Sequence, residues 1–140
     1  LDVEPEHAIS KAASRLIDLA SAAQEEFIMV TPYFVPGEEG TEWLSALVKR
    51  GVKVRILTNS LASTDAIAAH AGYSEYRETL LDIGVELYEM KAIAEKGKGK
   101  GHYGSNAPNS LHSKVYVIDR KDVLVGSFNF DPRSIELNTE

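Results

Sequence analysis

The sequence predicts an α/β fold: a mixed, mostly parallel sheet flanked by helices and closed by a C-terminal β-hairpin. Three observations predict it. Short apolar runs alternate with stretches of helical period in the order β-α-β-α-β, which implies parallel strands joined by right-handed crossovers. Gly51 and Gly84 each stand where a helical pattern stops and an apolar run begins. Finally, Leu111 to Ile118 alternates with period two and is followed, across a polar turn, by a second apolar run.

The elements follow in order. Pro5 suits the first position of a helix, and Ile9, Ala12, Leu16, Leu19 and Ala23 then recur at helical spacing. Glu26 to Thr31 is a short apolar strand. A helix from about Glu39 puts Trp43, Leu44, Leu47 and Val48 on one face, and Gly51 ends it. Trp43 belongs to the core on that spacing. Val52 to Thr58 is the second parallel strand. Helical stretches between Thr64 and Leu81 are expected to break near Gly72, and Gly84 stops them. Val85 to Tyr88 is the third strand. Residues 94–110 are glycine- and lysine-rich, lack apolar periodicity and are expected to be a flexible, solvated connector. The run Gly99-Lys100-Gly101-His102-Tyr103-Gly104 has the spacing of a dinucleotide fingerprint but no helix to open on, since Asn106, Pro108 and Asn109 follow.

Composition bounds the function. The chain has 140 residues, enough for one domain with a sizeable core. Hydrophobic content of 44% and charged content of 26% are those of an ordinary globular domain. There is no cysteine, so no disulfide and no thiolate metal site. A net charge of −6 argues against broad electrostatic binding to nucleic acid, leaving only a local basic cluster at Lys96, Lys98 and Lys100. No stretch approaches the roughly 20 apolar residues that span a bilayer.

Chemistry concentrates near the C-terminus, in His112-Ser113-Lys114, Asp119 and Gly126-Ser127-Phe128-Asn129. The closing hairpin would run from Leu111–Ile118 through Asp119–Asp122 into Val123–Phe128. With Ile118 opposite Val123, Lys114 faces Ser127 and His112 faces Asn129, all on one side of the sheet. Asp119 has the opposite parity, which suits it to turn amides rather than to a ligand. An imidazole, a fixed cation and neutral donors around one point fit a phosphoryl group: the histidine as nucleophile or acid, the lysine and the amide on developing oxygen charge. The scheme calls for no metal and no cofactor. At the carboxyl ends of the parallel strands, where ligands of such sheets gather, Tyr33 and Asn59 are further candidates to contact substrate. His70 and Tyr73 are read as structural.

His-x-Lys-x4-Asp-x6-Gly-Ser-x-Asn resembles the signature of the phospholipase D superfamily. Thr31–Pro36, Arg50–Asp65, Gly84–Glu89 and Asp131–Ser134 extend the resemblance over nearly the whole chain, toward the C-type branch of bacterial cardiolipin synthases. The resemblance implies a phospholipase D-like lobe that transfers a phosphatidyl group between alcohols through a phosphohistidine. It implies roles for His112 as a catalytic histidine, Lys114 and Asn129 as phosphate ligands, and Ser127, Asp119 and Glu140 as supporting groups, Glu140 orienting the imidazole. Members of the superfamily use two such signatures, and this chain has one. The expected partner is therefore an N-terminal lobe with a second signature, or a second copy of the chain. The other partners implied are a phospholipid substrate and, for the full-length protein, a membrane surface. A bacterial peripheral inner-membrane or cytoplasmic location follows, with this piece soluble. The rival readings are a homodimeric phosphodiesterase or nuclease of the same superfamily and a non-catalytic binding domain with this fold.

Overall fold

The computed structural model describes residues 5–92, 110–127 and 129–130. The elements run α1 (Pro5–Ser21), β1 (Glu26–Val30), α2 (Gly37–Lys49), β2 (Lys53–Asn59), α3 (Ile67–Ile83), β3 (Glu86–Met90), β4 (Val115–Ile118) and β5 (Asp122–Val125). The strands form one sheet in the order β3-β2-β1-β4-β5. β1, β2 and β3 are parallel, while β4 is antiparallel to both β1 and β5. This is the mixed, mostly parallel sheet with flanking helices that the alternation of elements predicts.

Strand periodicity decides which face is covered. Phe27 and Met29 of β1, Val54 and Ile56 of β2, and Tyr116 and Ile118 of β4 point to one side and are buried. Leu16 and Ala20 of α1, Leu44 and Leu47 of α2, and Tyr73 and Leu80 of α3 pack into the same core. Residues of the other parity are half-buried or exposed, ending in Val123 and Val125 on β5, except for buried Glu26 and Asn59 at opposite ends of the sheet. Helix α2 ends through Gly51 and α3 through Gly84, both left-handed (φ +88° and +106°), as their places in the sequence require.

Two expectations need correction. Helix α3 is continuous through Gly72. Gly72 is not a breaker there but a point of close approach: a Cβ at this position would lie 2.8 Å from Cγ1 of Val35. The hairpin is also shorter than its alternation suggests, and its register differs by one residue. Ile118 pairs with Asp122 and Val115 with Val125, so Val117, not Ile118, faces Val123. The loop holds three residues rather than an even number. Asp119 and Arg120 both adopt positive φ (51° and 56°), and Lys121 N–H donates to Ile118 O at 3.0 Å. The third residue, Lys121, is a bulge after a tight turn, and it inverts the parity of everything on β5. The stretch 94–109 and Glu140, Phe128 and Asp131–Ser134 lie outside the described residues.

The end of the sheet away from the hairpin mouth is held by charge. Glu26 is buried, and its carboxylate accepts from Arg55 (2.5 Å) and Arg120 (2.9 Å). Arg55 also pairs with Glu86 across β2 and β3 at 3.0 Å. Two guanidiniums on one carboxylate satisfy an anion that burial alone would penalise.

Candidate active site

Topology places the His112–Lys114 part of the signature at one end of the sheet. Val115, the first residue of β4, pairs with Val30, the last of β1. His112 to Lys114 therefore emerge beyond the carboxyl ends of the parallel strands, where α/β sheets collect ligands. His112 is exposed and Lys114 half-buried; Lys114 Nζ donates to the His112 carbonyl at 3.4 Å. Gly126 N–H donates to Lys114 O at 3.1 Å, so Lys114 faces Gly126 rather than Ser127. Strand parity therefore does not place the four signature side chains on one shared face.

Asn129 reaches the site by another route. Phe130 forms a parallel bridge with Phe34, beyond the end of β1, and Val35 N–H donates to Phe130 O at 3.0 Å. The Phe130 ring lies 5.8 Å from Phe34 and stacks on Trp43 at 5.7 Å. These aromatic contacts and the backbone bond pin the chain just past Asn129. Asn129 is half-buried, and its Oδ1 is buried without a hydrogen-bond partner among the described residues. Phe34 and Phe130 were not among the sequence candidates. Phe130 adjoins the signature residue Asn129 and Phe34 adjoins Tyr33, a pattern indistinguishable from ordinary core. Ser127 is exposed.

Asp119 sits at the far end of β4, seven residues and roughly 20 Å from His112 at strand rise. Its carboxylate accepts the N–H groups of Gln24 (2.9 Å), Glu25 (2.8 Å) and Glu26 (2.9 Å). These amide bonds, that of Glu26 foremost, hold its carboxyl below the usual carboxylate range. Asp119 thus ties the hairpin turn to the entry of β1.

The remaining candidates bond to protein. Tyr33 donates its hydroxyl to Asp65 Oδ1 at 2.5 Å, and that bond pushes the phenol up to about 12. Asn59, at the end of β2, is buried; it bonds to Pro32 O and to both main-chain polar groups of Leu111. Tyr33, Asn59, His70 and Tyr73 line a cavity of about 10 Å³. That volume is one water molecule, not a headgroup. His70 contacts Ser74 Oγ through Nδ1 at 3.1 Å and meets the Tyr73 ring edge-on at 5.6 Å. Among the described residues no group of histidines and carboxylates could hold a metal ion, and no helix is long and apolar enough to cross a membrane.

Comparison with known proteins agrees with this architecture. The chain is 47% identical over 128 residues to cardiolipin synthase C of Escherichia coli, covering 90% of this chain and 27% of that protein. It therefore spans about a quarter of the length of that relative. Among solved structures it is similar in fold to NucT from Helicobacter pylori (TM-score 0.63, 23% identity, 95% of this chain and 75% of that one). It is also similar to the phospholipase D family member Nuc from Salmonella typhimurium (TM-score 0.57, 24% identity, 86% of this chain and 65% of that one). The profile of the family described as cardiolipin synthase, PLD-like domain, matches residues 16–140, so the chain belongs to that family.

Proposed function

We propose that this chain supplies half of an active site that transfers a phosphatidyl group between two alcohols. The reading is supported by the chain segments that carry His112, Lys114 and Asn129, which lie beyond the carboxyl ends of the parallel strands, in a chain 47% identical to a cardiolipin synthase. One imidazole attacks phosphorus, and the P–O bond to the first alcohol breaks. A second imidazole, opposite, gives that oxygen its proton. The second alcohol then loses its proton to the same imidazole, attacks phosphorus and releases the first imidazole from its P–N bond. Attack and departure occur on opposite sides of phosphorus, so one histidine cannot do both in a single step. We assign His112 the acid–base role, with the nucleophile on an N-terminal lobe bearing a second signature, or on a second copy of the chain. Lys114 and Asn129 stabilise the charge that develops on the non-bridging oxygens. Glu140 and Ser127 support the imidazole and the phosphate.

The test is transfer in phosphatidylglycerol vesicles by the full-length protein. His112→Ala should abolish it while leaving the protein folded. Normal transfer by the folded variant would refute the assignment. Cleavage of single-stranded DNA with no lipid transfer would instead favour a phosphodiesterase of the same superfamily. Turnover by this chain as a confirmed monomer would show that no second histidine is needed.

A further inference from the structure

One carboxamide joins the end of β2 to the residue before His112. Asn59 is 2% exposed. Its Oδ1 accepts Leu111 N–H at 2.9 Å. Its Nδ2 donates to Leu111 O and to Pro32 O, both at 3.3 Å. Holding the N–H and the C=O of one residue together is what a neighbouring strand does. Among the described residues no strand does it here, because the ladder of β4 begins only at Val115. The side chain of Asn59 stands in for the missing rung.

The consequence falls on His112. The Leu111 carbonyl belongs to the peptide that leads into His112, so fixing that oxygen fixes the plane from which the imidazole departs. A buried polar side chain is costly unless satisfied, and a residue needed only for packing could be apolar. Besides bonding Pro32 O and Ser63 Oγ, both ends of the carboxamide reach a segment without regular structure, at the entrance to the signature. Asn59 also faces a cavity of only about 10 Å³, too small to receive a substrate group.

We infer that Asn59 is a positioning residue that clamps Leu111 and so sets the direction in which His112 enters the active site. The inference rests on the reading above only in taking His112 as the reacting imidazole. The experiment uses the full-length protein with Asn59→Ala and with Asn59→Asp. The aspartate is nearly isosteric and serves if the alanine variant does not fold. It keeps an oxygen for Leu111 N–H but sets a carboxylate against two carbonyls. Residue-resolved hydrogen exchange should show the Leu111 amide exchanging at least about tenfold faster in the alanine variant, with the Ile56 and Tyr116 amides unchanged. In vesicle transfer, kcat should fall about 10- to 100-fold in both variants with KM within about twofold, as expected when a reacting group is misplaced while substrate binding is preserved. Wild-type kcat in either folded variant, a change in KM alone, or an unaltered Leu111 amide in the alanine variant would overturn the clamp. If His112→Ala keeps wild-type turnover, the functional reading fails, and Leu111 exchange still decides the clamp.

Discussion

Removing the Asp119 carboxylate should damage the fold and spare the chemistry, although Asp119 belongs to the same sequence signature as His112. Its carboxylate accepts three successive amides, Gln24, Glu25 and Glu26, at 2.8–2.9 Å. The first two lie at exposed positions, where water can replace the lost acceptor at a cost of ~0.5 kcal/mol each. The Glu26 amide is part-buried, and a charge-assisted bond of that kind contributes about 1.5–3 kcal/mol. Asp119→Ala should therefore cost about 2.5–4 kcal/mol. At the entropy of unfolding usual for a chain of this size, that lowers Tm by about 9–14 °C. Asp119→Asn keeps one acceptor oxygen, and since Oδ1 serves all three amides, it should cost less than half as much. The acid dependence follows from sign. The carboxyl is held below its ordinary value in the folded state, so its contribution is complete above the unfolded value near 4 and is lost as pH falls through the folded value. The stability gap between wild type and Asp119→Asn should therefore close below about pH 4. Urea unfolding across pH, with turnover per folded molecule measured alongside, is the assay. An Asp119→Ala protein of wild-type stability, or a folded Asp119→Asn protein with turnover reduced tenfold or more, would refute the reasoning.

Other predictions follow from single contacts. Lys114→Ala and Asn129→Ala should each lose roughly 2–4 kcal/mol of transition-state stabilisation with little change in stability, read from kcat/KM and urea melts of the same preparations. Gly72→Ala should gain about 1 kcal/mol of helix propensity but lose about 1–3 to overlap with Val35, for a net destabilisation; adding Val35→Ala should relieve the overlap, which a double-mutant cycle reads directly. Tyr33 should ionise only near pH 12, and Asp65→Asn should bring it back toward 10. With six tyrosines in the chain, the ultraviolet titration is read as a difference from Tyr33→Phe. The raised phenol stabilises the fold fully below about pH 10, and that contribution fades as pH rises through about 12.

The fold was legible because its determinants are local. Gly51 and Gly84 stop α2 and α3 by adopting a backbone conformation that side-chain-bearing residues resist, and a sequence displays that directly. Gly72 misled for the complementary reason. A glycine demanded by backbone geometry and one demanded by a neighbour 37 positions away look alike in a sequence. Only the structure shows Val35 over the helix. Tyr33 follows β1 and Asn59 ends β2, at the carboxyl ends of the parallel strands as their sequence positions imply. Their hydrogen bonds to Asp65 and Leu111 depend on loops whose paths the sequence does not encode in any short pattern.

The hairpin is the instructive case, because the register expected to align its residues is not the one the chain adopts. Strand parity is an unforgiving rule: one extra residue moves every later side chain to the other face. The polar tetrapeptide Asp119–Asp122 permits an odd or an even loop, and propensity does not choose between them. The choice is made outside the hairpin. Asp119 is drawn onto the Gln24–Glu26 amides, and Arg120 onto Glu26. Both residues are thereby held at positive φ, and Lys121 is left as the bulge. Had the hairpin alone aligned the signature, this bulge would have turned Ser127 and Asn129 away from Lys114. Instead β5 ends at Val125, and the chain is recaptured by Phe34, Val35 and Trp43 through Phe130. The segments that carry His112 and Asn129 are therefore anchored independently, the first through Leu111 and Asn59, the second through Phe130 and the aromatic core. A site built this way should tolerate a change of register in the β4–β5 turn better than loss of either anchor. Deleting Lys121 tests that. It should cost stability at the turn yet leave kcat closer to wild type than Phe130→Ala does, and the reverse order would show that the hairpin, after all, sets the geometry.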